Sequence, residues 1–336
     1  MSHINIPIFI PHLGCPNQCI FCNQKHISGE EKFNENTIKS QITRILSTVN
    51  GKTCEIAFFG GSFTGIERSL MIKLLDIAQE FVNSGKVCGI RMSTRPDYIS
   101  KEIINILSNY TITCVELGIQ TINEDVLNFL KRGHTFADTE QAVCLLNEAK
   151  IPFVGQMMIG LPTATKQDEI NCANFIAKHN ACGARIYPTL VLNDTELANL
   201  YISGKYIPLE LTEAVDRASE VLQIFIDNNI PCIRIGLCDS ENLHSDKTFL
   251  AGPNSPSIGE MVKSRIYYKK IVKQLKILEP NNESIIIKCP KGRVSQIIGL
   301  KKENILNINK KFNIAKLTIS EIDCLKEFDV MIEKED

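Results

Sequence analysis

Three cysteines, Cys15, Cys19 and Cys22, fall in the segment Gly14-Cys15-Pro16-Asn17-Gln18-Cys19-Ile20-Phe21-Cys22. Thiolates at this C-x3-C-x2-C spacing can converge on one metal centre. A structural zinc would take a fourth ligand at a matching spacing. His12 and His26 are nearest, and neither stands at a common zinc spacing. Three cysteines suit a 4Fe–4S cluster, in which three irons are held by the protein and the fourth keeps an open position. A buried cysteine-rich turn is the remaining reading, because free cysteine packs as a small hydrophobe. The other ten of the thirteen cysteines are scattered, read as core residues, and lack the spacing of a second cluster.

The loop follows directly on an apolar run at residues 4–10. Similar runs recur at 55–59, 89–94, 115–119, 153–159 and 185–190. Such runs suit a parallel sheet covered by helices. Between them lie helical patterns. Ile38, Ile42, Ile45, Leu46 and Val49 share one face behind Asn36 or Thr37, and patterns follow at 70–81, 103–107, 126–130, 138–149, 167–179 and 213–227. The βα unit therefore repeats six times, with 232–235 as a candidate seventh strand. Such repeats build either a doubly wound sheet or a barrel, and both put their chemistry at the C-terminal ends of strands.

Residues 1–236 form this α/β core. Residues 237–260 hold Gly252, Pro253, Pro256 and Gly259 and read as a loop or linker. Residues 261–336 begin with a basic helix over 263–277 and continue as a small α+β unit, with strands at 284–288 and 317–322 around helix 294–311.

Other strand ends also carry unusual residues. Phe59-Gly60-Gly61-Ser62 follows the second strand; paired glycines let backbone approach a ligand, and exposed amides can hold a carboxylate. Ser93 and Thr94 end the third strand. Glu116 and Gln120 place polar groups in a buried fourth strand and need partners. Arg132 follows at a helix end, where favouring the helix dipole is the simpler reading. Gln156 lies in the fifth strand.

The cysteine loop, with aromatic Phe21 before its last cysteine, resembles the signature of the radical S-adenosylmethionine (radical SAM) superfamily. The resemblance implies a partial (β/α)6 TIM-like barrel in which Cys15, Cys19 and Cys22 hold the cluster. Its open iron would bind S-adenosylmethionine, and one electron would release a hydrogen-abstracting 5′-deoxyadenosyl radical. A low-potential electron donor, flavodoxin- or ferredoxin-like, is implied as well. Gly60, Gly61 and Ser62 correspond to the segment that contacts the methionine moiety, with serine where the superfamily has glutamate. Gly118-Ile119-Gln120 and Arg132-Gly133-His134 are similar to segments of the Elongator catalytic-subunit family and of the oxygen-independent coproporphyrinogen oxidases. There Gln120 and Arg132 would help hold S-adenosylmethionine, beside Phe21, Ser93 and Glu116, with Gln156 near the adenosine. Tyr187-Pro188-Thr189 and Gly204-Lys205-Tyr206 resemble the Elongator type, so the expectation is a tRNA- or RNA-modifying enzyme. The roughly 100 residues after the barrel are expected to be too few for that family's acetyltransferase domain.

The formal net charge is −1, which excludes a uniformly basic protein. Along the chain the charge is uneven. Residues 261–316 hold 14 Lys and Arg against 3 Asp and Glu, a net of +11, leaving −12 elsewhere. Arg265, Tyr267, Tyr268, Lys269 and Lys270 mix cations with aromatics, a composition suited to phosphate neutralisation and base stacking. Residues 294–305 resemble a KH-type RNA-binding loop with Lys302 in place of the second glycine. A small, porphyrinogen-like substrate, or a non-catalytic iron–sulfur RNA-binding protein, are the alternative readings. The N-terminus lacks a basic n-region and no run approaches the ~18 residues of a membrane span, so a cytoplasmic chain with no membrane partner is expected.

Overall fold

Seven apolar runs pair as one all-parallel sheet in the computed structural model, which describes residues 3–15, 18–23, 33–49, 52–237 and 248–335. The elements of the first six units are β1 (His3–Phe9), α1 (Ile38–Thr48), β2 (Thr53–Phe59), α2 (Arg68–Asn83), β3 (Ile90–Thr94), α3 (Lys101–Leu107), β4 (Ile112–Gln120), α4 (Glu124–Phe129), α5 (Phe136–Glu148), β5 (Phe153–Ile159), α6 (Lys166–Lys178) and β6 (Gly183–Pro188). Then come β7 (Val191–Leu192), α7 (Glu196–Ile202), α8 (Leu211–Asp227), β8 (Cys232–Ile235) and β9 (Phe249–Ala251). The sheet order is β1-β2-β3-β4-β5-β6-β8. Strictly sequential order has no switch point, so this is a partial TIM-like barrel and not a doubly wound sheet.

Local sequence explains most boundaries. Ser100 caps α3 by accepting from Ile103 N, and Asn123 caps α4 through Asp125 N and Val126 N. Thr135 with Asp138, and Thr165 with Asp168, form capping boxes at α5 and α6. The cap of α1 differs from expectation: Thr37 makes no side-chain cap bond, and Asn34 instead accepts from Asn36 N at the preceding turn. Strand interiors such as Ile6, Ile56, Phe58, Val115 and Leu117 are fully buried, as a sheet covered on both faces requires.

The chain divides into two compact units, Met1–Glu210 with Ile224–Asn254, and Leu211–Gln223 with Ser255–Asp336. The expected 237–260 linker contains a short strand. Phe249–Ala251 pairs antiparallel with Val191–Leu192, an apolar ribbon of two short strands, and belongs to the first unit. The helix expected from residue 263 begins earlier: α9 runs Ile258–Leu278 and buries Ile258, Val262, Ile266, Tyr267, Ile271 and Leu275. The second unit continues with β10 (Asn281–Pro290), α10 (Val294–Ile298), α11 (Glu303–Lys311), β11 (Asn313–Ile322) and β12 (Met331–Lys334). Its sheet has order β11-β10-β12, with β10 parallel to β11 and antiparallel to β12.

Candidate active site

The cysteine loop leaves β1 and is pinned to the turn after β2 by backbone bonds. His12 N donates to Gly60 O at 3.0 Å, and Ser62 N donates to Leu13 O at 2.9 Å. Glycine is required here by close approach. A Cβ on Gly61 would sit 2.4 Å from Leu13 O and 2.6 Å from Ile10 O. One on Gly14 would sit 2.2 Å from Ser62 O. Gly60 adopts φ +90, a conformation that costs other residues energy. The paired glycines thus hold two strand-end loops against each other.

Cys15 is half-buried, and its Sγ lies 3.5 Å from Ser62 Oγ, so the serine in the superfamily's glutamate position contacts the cysteine loop. Cys19 is buried. Arg132 Nη1 donates to its Sγ at 3.4 Å while Nη2 donates to Gly118 O at 2.8 Å. Cys22 N donates to Cys19 O at 3.0 Å, closing the loop. Phe21 packs on an apolar cluster that includes Ile20, Val126, Leu130 and Leu197 and anchors the loop's far side. A cavity of about 880 Å³ opens beside this loop, lined by residues including Gln18, Cys19, Lys131, Thr195 and Glu196.

Gln120 ends β4 at φ +67, where the register with β5 shifts between Gly118 and Gln120. Its Oε1 is buried without a hydrogen-bond partner among the described residues, as are Arg132 Nε and Arg95 Nη1. His134 is buried as well. Burial, then Arg132 and Arg95, push its pKa down to about 2, so the imidazole is neutral.

Glu116 is bonded to side chains of three other strands. Its Oε1 accepts from Arg91 Nη1 at 3.2 Å and from Arg185 Nη2 at 2.7 Å, and its Oε2 accepts from Gln156 Nε2 at 2.7 Å. Arg91 also pairs with Glu55, which further bonds Thr113 and His3. Burial opposes the charge on Arg185, but Tyr187 and Glu116 outweigh it and raise its pKa. Glu116 and Gln156 therefore belong to a barrel-wide polar network. Ser93, half-buried, is the register partner of Glu116. Tyr206 donates to Gly160 O at 2.7 Å, tying the Gly204-Lys205-Tyr206 segment to the end of β5.

Sequence reasoning gave no role to Arg95 or His134. Their signal was positional: Arg95 directly follows β3, and His134 follows Arg132 by two residues. Among the remaining thiols, Cys114 and Cys182 lie 3.9 Å apart. His26 and Cys238 lie outside the described residues.

The residues fit an iron–sulfur centre. One loop offers three thiols, buried guanidinium and hydroxyl groups face two of them, and glycines clear the approach. Among the described residues, no three His, Cys, Asp or Glu side chains converge on a single metal ion. In a cubane each cysteine binds a different iron, so its ligands need not converge.

A partial barrel with a three-cysteine loop at its strand ends, backed by a buried arginine and a Gly-Gly turn, defines a radical SAM enzyme core. The chain belongs to the radical SAM superfamily: that family's profile matches residues 9–176, half of the chain, and a Radical_SAM C-terminal domain matches residues 182–268. An uncharacterized protein of Methanocaldococcus jannaschii is 26% identical over 231 residues, covering 65% of this chain and 70% of that one. The tRNA uridine(34) acetyltransferase of the same organism is 34% identical over 128 residues, 37% of this chain and 24% of that protein. The fold is shared with the archaeal Methanocaldococcus infernus Elp3, with a TM-score of 0.61 at 23% identity over 81% of this chain and 63% of that one. The chain thus spans about a quarter of the acetyltransferase it matches. The Elongator-type resemblance of the core holds, and neither family segment matched in this chain is an acetyltransferase.

The basic segment is largely answered within its own unit. The second unit holds 17 Lys and Arg against 14 Asp and Glu, a net of +3. Arg265 pairs with Asp216 and Glu303, Lys269 with Glu220, and Arg293 with Glu327. Tyr267, expected to stack on bases, is fully buried; its hydroxyl accepts from Phe328 N at 3.0 Å. Lys301, Lys302, Lys310 and Lys311 are exposed and form no ion pair among the described residues. Gly299, Lys301 and Lys302 take φ of +79, +50 and +64, so Lys302 adopts the left-handed backbone that the missing glycine would favour. No helix among the described residues is long and apolar enough to cross a membrane.

Proposed function

We propose that this radical SAM enzyme modifies tRNA. The observation that carries the reading is the 34% identity over 128 residues to a protein named tRNA uridine(34) acetyltransferase. The lysines at both ends of α11 support it. They lie within a strand–helix–loop–helix–strand order, β10-α10-α11-β11, and offer unspent charge to phosphates.

In this reading Cys15, Cys19 and Cys22 hold the 4Fe–4S cluster. Bound together, the cluster and S-adenosylmethionine supply one-electron cleavage that yields a hydrogen-abstracting radical. A flavodoxin- or ferredoxin-like protein delivers the electron. Gly60 and Gly61 hold the cysteine loop close to β2. Gln120 and Arg132 orient the cofactor, and Ser62 steadies Cys15. The network of Glu116, Arg185 and Gln156 fixes the barrel wall, and the buried core excludes water. The protein acts in the cytoplasm.

A small-molecule substrate is the second reading, favoured by the second unit's net charge of only +3. Salt-dependent tRNA retention separates the two. Binding should weaken steeply with salt, and Lys301→Gln/Lys302→Gln should reduce the log–log slope by about 1 for each lysine that no longer neutralises a phosphate. No retention at low salt removes the RNA reading. tRNA retention without 5′-deoxyadenosine formation by the reconstituted, reduced protein would instead indicate a binding protein.

A further inference from the structure

Arg95 follows β3 and is 2% exposed. Its Nε and Nη2 fork onto the Asp97 carboxylate at 2.9 and 2.8 Å. The third nitrogen, Nη1, is buried without a hydrogen-bond partner among the described residues. The guanidinium lies over the Tyr98 ring, 5.8 Å from its centroid. Tyr98 in turn packs behind the cysteine loop: a Cβ on Gly65 would meet the Tyr98 ring at 2.7 Å and Gly14 O at 2.8 Å. Burial works against the charge of Arg95, but Asp97, Cys19 and Cys15 outweigh it and raise its pKa. Arg132 reaches the same loop from β4's side, with Nη1 on Cys19 Sγ at 3.4 Å. Both arginines act on His134, which stays neutral and offers no counter-charge.

Of these two buried guanidiniums, Arg95 has the Asp97 carboxylate, and Arg132 has no carboxylate partner among the described residues. A buried cation without a counter-ion is costly, and removing its partner destabilises a protein strongly. The surplus charge needs an anion, and the group that Arg132 already faces is the Cys19 thiol of the cysteine loop, at 3.4 Å. Three thiolates on a 4Fe–4S core make a net anionic centre, more so when reduced.

We propose that Arg95 is a positioning residue that, with Arg132, clamps the anionic cluster from behind and favours its reduced state. Asp97 holds the guanidinium in place and leaves Nη1 for that role. The inference rests on the superfamily assignment and is independent of the tRNA reading.

The test compares reconstituted wild type, Arg95→Gln and Arg95→Lys without oxygen. Iron content is measured first, then cluster reduction by EPR across applied potentials. At the wild-type midpoint, the reduced-to-oxidised ratio of Arg95→Gln should fall about tenfold, a shift of about 59 mV for one electron. Arg95→Lys, which keeps the charge, should recover most of that loss. Should Arg95→Gln retain no iron, retention by Arg95→Lys supports the clamp, and equal loss by both overturns it. An unchanged midpoint in iron-loaded Arg95→Gln also overturns it. Wild type that takes up no cluster would overturn the assignment beneath it, whatever the variants do.

Discussion

Arg132 and Cys19 are 113 residues apart in the chain, yet the Arg132 guanidinium donates to the Cys19 thiol at 3.4 Å. The same side chain donates to Gly118 O at 2.8 Å, so one planar fork links the cysteine loop to the end of β4. A lysine carries the charge but has a single nitrogen and cannot span both acceptors. Arg132→Lys and Arg132→Gln should therefore both lower 5′-deoxyadenosine formation at least tenfold in the reconstituted, reduced protein. Recovery by Arg132→Lys to near wild type would mean that charge alone matters and the fork does not.

Glu116 is almost fully buried and answers two guanidiniums and one amide. Neutralising it leaves Arg91 with Glu55 but strips Arg185 of its carboxylate. Breaking a buried pair by removing one partner costs about 3–5 kcal/mol. Glu116→Gln should lower the urea midpoint accordingly. Glu116→Gln/Arg185→Met removes both partners and should recover part of the loss. A double variant no more stable than the single one would show that Arg185 is not the residue left uncompensated.

The contrast between Glu116 and the cysteine loop shows what the sequence carries. The loop was legible because its three thiols are neighbours in the chain and their spacing has few chemical uses. The sheet was legible because each strand is a continuous apolar run. Glu116 was not, because its partners Arg91 and Arg185 stand 25 and 69 residues away. The balance of the basic segment was only partly legible for the same reason. Several of the acids that answer it, Asp216, Glu220 and Glu327, lie outside residues 261–316 and meet it only in the fold. Tyr267 looked available beside four polar neighbours, but helical periodicity puts it on the buried face of α9 with Ile271.

Gly61 and Gly85 separate crowding from conformation. Gly85 adopts φ +70, but nothing lies within 4 Å of a Cβ there, so Gly85→Ala should cost only the left-handed penalty of about 1–2 kcal/mol. At Gly61 the obstacle is the backbone carbonyls of Leu13 and Ile10, which cannot rotate away. Gly61→Ala should push the cysteine loop from β2 and reduce iron retained after reconstitution by more than half. Gly85→Ala should keep wild-type iron. Equal iron in both would show that the close approach of Leu13 and Ile10 to Gly61 does not position the thiols.

His134 gives the fold an acid-side weakness. Burial and the nearby Arg132 and Arg95 hold its pKa at about 2, against 6.5 for a free imidazole. Between those values the unfolded chain binds the proton that the folded chain refuses, so stability rises with pH. The contribution is complete above about 6.5 and drains away as the pH falls toward 2. His134→Asn removes the titrating group while keeping a similar polar volume. Urea midpoints at pH 7.5 and 5.0 should therefore drop more for wild type than for His134→Asn. The difference should persist in Arg95→Gln at reduced size, because Arg132, the stronger of the two cationic influences, remains in place. Parallel pH profiles for wild type and His134→Asn would show that the imidazole is protonated in the fold and that its two cationic neighbours are balanced by another anion.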